Sequence, residues 1–145
     1  MGGSNPTQIL ITMADSNLYW LAGLLEGEGC FAMRSDGHNP IIQLIMTDLD
    51  VVIKAAQIMG CHKVVKNKQD SRGGKALYRT VLYGINAVEL MRKLLPYMGK
   101  RRTEKIKECI LCFESKLNHV KKYKERKSYS RGACIVWLKS DSYAG

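Results

Sequence analysis

A glycine-punctuated segment, residues 21–29, most constrains how this chain can fold. It reads Leu-Ala-Gly-Leu-Leu-Glu-Gly-Glu-Gly and follows Ser16, a residue type that often begins a helix. Gly23 and Gly27 share one face of such a helix, where the lack of side chains lets a second helix backbone approach closely. An ordinary surface helix would lose stability at those glycines. The segment therefore predicts a helix that packs against another helix and ends at its glycines.

Two carboxylates fall where this helix is predicted to end. Glu26 and Glu28 would lie close together near loop carbonyls, and carboxylate and carbonyl oxygens are the ligands that Mg²⁺ prefers. Two such helices side by side would bring two acidic ends together, as metal-assisted cleavage of two phosphodiester strands requires. A capped helix with two solvated acids has the same pattern, so these residues alone leave both interpretations open.

The charge balance points to a polyanion. Twenty-three Lys and Arg against thirteen Asp and Glu give a net charge of +10, and residues 100–127 hold eleven of the basic residues and four of the acidic ones. Nucleic acid or an anionic membrane face would suit such a surface, and a solvated basic protein is the alternative. No apolar run approaches the ~20 residues of a membrane span, and no signal peptide is recognisable. We expect an intracellular protein with no membrane partner.

The cysteines do not predict a structural site. Five cysteines at wide spacing do not resemble a disulfide framework. Cys109 and Cys112 form a CxxC pair without a second pair of ligands, and a zinc site needs four, so we interpret them as buried helix residues. The three histidines are isolated and suit surface positions.

Hydrophobic patterning predicts one compact domain with the order helix, two strands, helix, two strands, helix, helix. Asp48 and Gly60 are expected to cap and end the second helix, and Pro96 to interrupt the third. The final residues, 133–138, could form a strand, a short helix or a packed extension. The predicted bounds are a helix from Ser16 to the glycines, strands at 30–35 and 41–46, a helix at 49–59, strands at 63–68 and 76–83, and helices at 85–95 and 100–115.

Residues 21–29 closely resemble the LAGLIDADG motif of the homing endonucleases. The first four residues and the final glycine match, and both acidic positions hold Glu in place of Asp. The family's αββαββα order recurs over residues 17–115, and residues 94–102 resemble its segment before the last helix, where a proline and an aromatic precede a basic residue. The resemblance implies an α+β fold with an antiparallel four-stranded DNA-binding sheet.

The same resemblance implies a division of the chain. The endonuclease domain would occupy residues 16–116. The resemblance does not extend to residues 1–15 or 120–145. Residues 1–15 would be an N-terminal extension, whose start Met-Gly-Gly-Ser is of the kind that an expression vector leaves, and residues 117–145 would be a basic C-terminal extension.

The resemblance also implies roles at an active site. Glu28 corresponds to the metal-binding acid, and Gly27 to the residue whose carbonyl faces the metal. Lys100 or Arg101 would be the basic residue that stabilises phosphate charge or positions water, and Asp48 the polar residue near the attacking water. The expected cofactor is Mg²⁺, with Ca²⁺ or Mn²⁺ able to substitute for binding. Glu at position 28 adds one methylene to the family's pattern, which shifts its carboxylate.

A single motif implies a homodimer with a roughly palindromic target, since two-motif relatives are single-chain pseudodimers. Strand alternation turns Phe31 and Met33 inward and leaves alternate residues facing DNA. The expected dimer interface is Leu21, Ala22, Gly23, Leu24 and Gly27. The expected DNA-binding residues are Ala32, Arg34, Gln43, Lys66, Lys68, Lys75 and Arg79.

The implied function is a site-specific DNA endonuclease that makes double-strand breaks by metal-dependent hydrolysis and serves intron homing. It would act where its target DNA lies, in the cytoplasm or nucleoid or in an organelle, with double-stranded DNA as partner and no small-molecule substrate. One alternative is a non-cleaving nucleic-acid-binding relative, either an intron RNA maturase or a transcription regulator. Another is a basic dimeric protein whose motif only packs helices.

Overall fold

The computed structural model describes residues 6–67 and 73–137, with side chains described over residues 15–67 and 73–125. Four helices and a four-stranded antiparallel sheet confirm the predicted α+β fold and its αββαββα order. In chain order the elements are α1 (Pro6–Glu28), β1 (Gly29–Met33), β2 (Pro40–Met46), α2 (Leu49–Met59), β3 (Val65–Lys66), β4 (Tyr78–Tyr83), α3 (Gly84–Leu94), a 3₁₀ turn (Leu95–Tyr97) and α4 (Lys100–Trp137).

One face of the sheet is covered by helices. The strand order is β1-β2-β4-β3, and alternate residues of β1, β2 and β4 are buried against the helices. Directly paired residues share a face, so the pairs Phe31–Ile42 and Leu44–Thr80 mark the covered side. The core joins these strand residues to others from every long helix, including Leu21, Leu25, Val52, Met91 and Ile106.

Several predicted helix ends are confirmed. The second helix ends at Gly60, whose φ of 77° is the left-handed conformation that glycine adopts without strain. Asp48 is the N-cap residue of that helix, but its side chain donates and accepts no capping hydrogen bond. The third helix stops at Leu94, and the following turn contains Pro96.

Both terminal helices are longer than predicted. The start at Ser16 is wrong: α1 begins at Pro6, a residue suited to a first helical position, and residues 7–15 contain no glycine or proline to end a helix. The end near residue 115 is also wrong, because α4 continues to Trp137 and contains no proline. The two expected domain boundaries, 15/16 and 116/117, therefore fall inside these helices.

The chain separates into two compact units, Met1–Ile110 and Leu111–Gly145. The first contains the sheet and the core described above. The described part of the second is the continuation of α4. None of the helices in the described residues is both long and apolar enough to cross a membrane.

Candidate functional site

The end of α1 presents a free carboxylate. Leu21 and Leu25 are fully buried and fix the helix against the core. A Cβ on Gly29 would lie 2.7 Å from the Leu25 carbonyl oxygen, so only glycine allows the sharp passage from α1 into β1. Glu28 sits at this turn with an exposed side chain. Within the described residues, no hydrogen bond or ion pair engages its carboxylate.

The other motif carboxylate has a structural partner. The Gly99 N–H donates a hydrogen bond of 3.0 Å to Oε2 of Glu26, and Arg102 Nε donates to the Glu26 carbonyl oxygen at 3.2 Å. A Cβ on Gly99 would lie 2.8 Å from Glu26 Oε1, so a larger residue there would displace the end of the Glu26 side chain. These contacts join the end of α1 to the start of α4, whose first residues are the exposed Lys100 and Arg101. The sequence pattern grouped Glu26 with Glu28 and missed this role.

Asp48 belongs to the same end of the sheet. Gly29 pairs with Leu44, so the start of β1 and the end of β2 lie together. Asp48 follows β2 by two residues and is exposed. The structure therefore gathers Glu28 and Asp48 at one sheet end, and the Glu26–Gly99 bond brings the start of α4 to the end of α1.

The residues at this end fit a hard divalent cation in part. Glu28 offers carboxylate oxygens, and the last-turn carbonyls of a helix, that of Gly27 among them, have no intrahelical donor. No cluster of three or more His, Cys, Asp or Glu occurs within the described residues. One chain supplies too few ligands for a closed site. Such an ion would keep water or bind phosphate oxygens as its remaining ligands.

The uncovered face of the sheet is partly exposed and carries no acidic side chain on its strands. Cys30, Gln43 and Val81 form one cross-strand row, and Ile45, Arg79 and Val65 form the next row toward Glu28. Ala32 and Ile41 form a third row with Tyr83. The predicted outward positions of Ala32, Gln43 and Arg79 are confirmed.

Arg34 lies just beyond β1 on this same face. Its guanidinium carbon is 5.9 Å from the centre of the Tyr83 ring, and its Nε is 3.6 Å from the Asp36 carboxylate. The His38 N–H, which donates to Asp36 at 2.8 Å, lowers the pKa of Asp36 together with the Arg34 charge. The ion pair and the ring hold the guanidinium over the sheet.

Comparison with solved structures decides the fold family. No protein-family model matches the chain, and neither does any curated protein. Two structures of the homing endonuclease I-CvuI align with 92% of this chain and 87% of theirs, at 19% identity and TM-scores of 0.55 and 0.56. One is a complex with the I-CreI target in 2 mM Mg with the DNA not cleaved, and the other a complex with its own target in 2 mM Ca. The chain has the homing-endonuclease fold.

Within this homing-endonuclease fold, two predicted interface residues lie elsewhere than expected. Leu21 is fully buried and Ala22 is 3% exposed, because both belong to the core of the chain itself. Gly23 and Gly27 are exposed, and a Cβ on either would meet nothing within 4 Å. Leu24 is half-buried beside them. The free face of α1 is therefore formed around the two glycines.

The three lysines that were predicted to bind DNA have different outcomes. Lys66 pairs with Tyr78, so it lies on the helix side of the sheet and not on the uncovered face where it was expected. Lys75 is exposed in the segment before β4, and Lys68 lies outside the described residues. A two-residue strand carries too little alternation for the sequence to fix its orientation.

One feature of the uncovered face was not predicted. Lys63, Val65, Arg79, Val81 and Tyr83 line a cleft of about 120 Å³ between β3 and β4. The pairing of Val65 with Arg79 turns Val65 outward, and Lys63 precedes Val65 by two residues. Had the register of β3 against β4 been known, strand alternation would have placed Lys63 on the same face as Val65.

Proposed function

We propose that this chain is a site-specific DNA endonuclease that hydrolyses both strands of a long, roughly palindromic target as a Mg²⁺-dependent homodimer. The observation that carries the proposal is the Glu28 carboxylate, which has no partner within the described residues and lies at the end of α1, the helix that the Glu26–Gly99 bond joins to the basic start of α4. The fold supports it, because I-CvuI with the same fold has been solved bound to target DNA. Intron homing is the biological use implied.

The residues at the sheet end would divide the chemistry among them. Glu28 and the Gly27 carbonyl would hold the metal, which supplies activation of water and stabilisation of the leaving oxygen when bound. Lys100 or Arg101 would neutralise charge that develops on the scissile phosphate. Asp48, exposed at the same sheet end, would accept a hydrogen bond from the attacking water. The added methylene of Glu28 extends the reach of its carboxylate from the helix end.

The homodimer would form through the free face of α1. Gly23 and Gly27 leave open space that nothing in the chain's own described part requires, while their helix propensity is poor. Close approach of a second α1 would use that space, with Leu24 beside it. Each chain supplies one Glu28, so two-strand cleavage needs two chains. The two-fold axis then predicts a roughly palindromic target.

The uncovered face of the sheet would bind the DNA. Its strands carry no carboxylate, and Ala32, Arg34, Gln43 and Arg79 would lie in the major groove. Lys75 would approach DNA from the segment before β4, and Lys68, which lies outside the described residues, is proposed as a further DNA contact. Lys66 would reach phosphate at most, because it projects from the helix side of an edge strand. Phosphate contacts should make the affinity fall with rising salt.

Cleavage of a randomised duplex library tests this proposal. The chain should cut discrete sites on both strands with Mg²⁺, and chelation by EDTA should abolish the cuts. The selected sites should be approximate palindromes. Tight, salt-sensitive binding of DNA or RNA without cutting would favour the non-cleaving maturase or regulator. Absence of both would leave a basic protein whose motif only packs helices.

A further inference from the structure

The cleft between β3 and β4 combines two cations with an apolar floor. Lys63 and Arg79 stand on either side of Val65 and Val81, and Tyr83 closes one end. Among the described residues, none that lines the cleft carries a carboxylate. Within the described residues no hydrogen bond or ion pair engages the Arg79 guanidinium, although the side chain is half-buried. A half-buried cation that has no partner among the described residues points to a ligand that supplies acceptors.

The arrangement of side chains in rows on the uncovered face limits how that ligand can lie. Arg79 lies in the row with Ile45 and Val65, one row closer to Glu28 than Val81 and Gln43. Rows two residues apart are separated by about 7 Å, close to two base-pair steps along B-DNA. Aliphatic neighbours on both sides of Arg79 limit the directions in which its guanidinium can extend. A guanidinium so held can present two parallel donors.

We infer that this cleft reads a guanine and an adjoining thymine in the major groove of each half-site. Arg79 donates to guanine O6 and N7, the acceptor pair that fits two parallel donors. Val65 and Val81 contact the thymine C5-methyl group, which no other base presents there. Lys63 lies farther from Glu28 and contacts the base pair on the outer side of the step. The inference rests on the proposed function, since it assigns bases within the proposed target.

Selection from a randomised duplex library, with Ca²⁺ in place of Mg²⁺ so that bound DNA is recovered uncut, tests the guanine assignment. The unaltered chain should select guanine beside thymine at one step per half-site. Arg79→Met should lose that guanine preference by about fivefold to more than a hundredfold and keep the preferences elsewhere. Arg79→Lys keeps the positive charge but not the two parallel donors of the guanidinium. It should therefore retain the overall affinity for DNA and lose most of the guanine preference.

A matched control variant distinguishes a loss of base recognition from the loss of one positive charge. Lys93→Met removes one positive charge from α3, on the helix side, and should leave every base preference unchanged. Thermal unfolding of each variant confirms that it is folded before selection. If Arg79→Met and Arg79→Lys weakened binding to all sequences equally, Arg79 would be a phosphate contact and the inference would fail alone. If the unaltered chain bound DNA with no sequence preference, the proposed function would fail with it.

Deoxyuridine tests the thymine assignment independently. Replacing that single thymine by deoxyuridine removes only the methyl group, which should weaken binding of the unaltered chain by roughly fourfold. The double variant Val65→Ala/Val81→Ala should bind the two duplexes with nearly equal affinity. An equal loss in the unaltered chain and the double variant would overturn the assignment to the valines.

Discussion

Neighbouring residues on β4 show that polar side chains on the two faces of the sheet differ in their hydrogen-bond partners. On the helix side Thr80 is 1% exposed, and its hydroxyl donates to the Lys63 carbonyl oxygen at 3.0 Å and lies 3.1 Å from Cys61 Sγ. On the uncovered side Arg79 has no partner within the described residues. Within the described part of the chain, the buried hydroxyl of Thr80 has its partners, whereas the Arg79 guanidinium has none. Stability should depend on the first face and recognition on the second.

The largest difference between the faces should appear in stability. Leu44→Ala on the helix side removes a fully buried side chain and should lower the free energy of unfolding by about 2–5 kcal/mol. Ile45→Ala, one residue later on the uncovered face, should cost clearly less because Ile45 is only half-buried. Urea unfolding of both variants measures the difference. Equal losses would mean that the uncovered face is also part of a core.

A smaller effect is expected from the buried polar group. Thr80→Val keeps the shape of the side chain and removes the hydroxyl, leaving the Lys63 carbonyl without this donor. We expect a loss of about 1–3 kcal/mol in the free energy of unfolding. Thr103→Val is the control, since its hydroxyl donates to the Met98 carbonyl in a more exposed setting. A larger loss for Thr103→Val than for Thr80→Val would contradict the role assigned to burial.

The Glu26–Gly99 hydrogen bond, which joins α1 to α4, should affect the cleavage rate more than the free energy of unfolding. Gly99→Ala places a methyl group against the Glu26 carboxylate, 2.8 Å from Oε1, and must displace one of them. If the proposed function holds, cleavage should fall by about tenfold or more, because small displacements of positioning groups are costly in catalysis. Gly74→Ala has open space for its Cβ and should leave cleavage unchanged. The ratio of single-turnover rates, measured at saturating DNA, reports this effect without a contribution from affinity.

The smallest effect concerns Asp36 at the outer end of the uncovered face. Its pKa is lowered, chiefly by the His38 N–H, so its folded-state value lies below its unfolded one. The stability that it contributes is therefore present above the unfolded pKa and is lost as pH falls through the folded pKa. Asp36→Asn should slightly reduce the loss of unfolding free energy at acid pH, and the effect is small because the carboxylate is exposed to solvent. An Asp36 carboxyl that titrates by NMR at or above the ordinary value would remove this explanation.

The sequence was informative where structure depends on local pattern. Gly60 ended α2, and alternation placed Phe31 and Ile42 inward and Gln43 outward. It failed where structure depends on distant contacts. The Glu26–Gly99 bond joins residues 73 apart, and no local signal couples them. Lys66 was assigned to the wrong face because β3 takes its register from β4 and is only two residues long.

The most direct measurement compares Glu28→Gln with Glu89→Gln in a DNA cleavage assay run beside a binding assay. Glu89 is exposed on α3, on the helix side, and its variant carries the same change of charge. We expect Glu28→Gln to lose double-strand cleavage by about a thousandfold or more, while both variants bind the selected DNA and unfold like the unaltered chain. Undiminished cleavage by Glu28→Gln would contradict the claim that the end of α1 carries the chemistry.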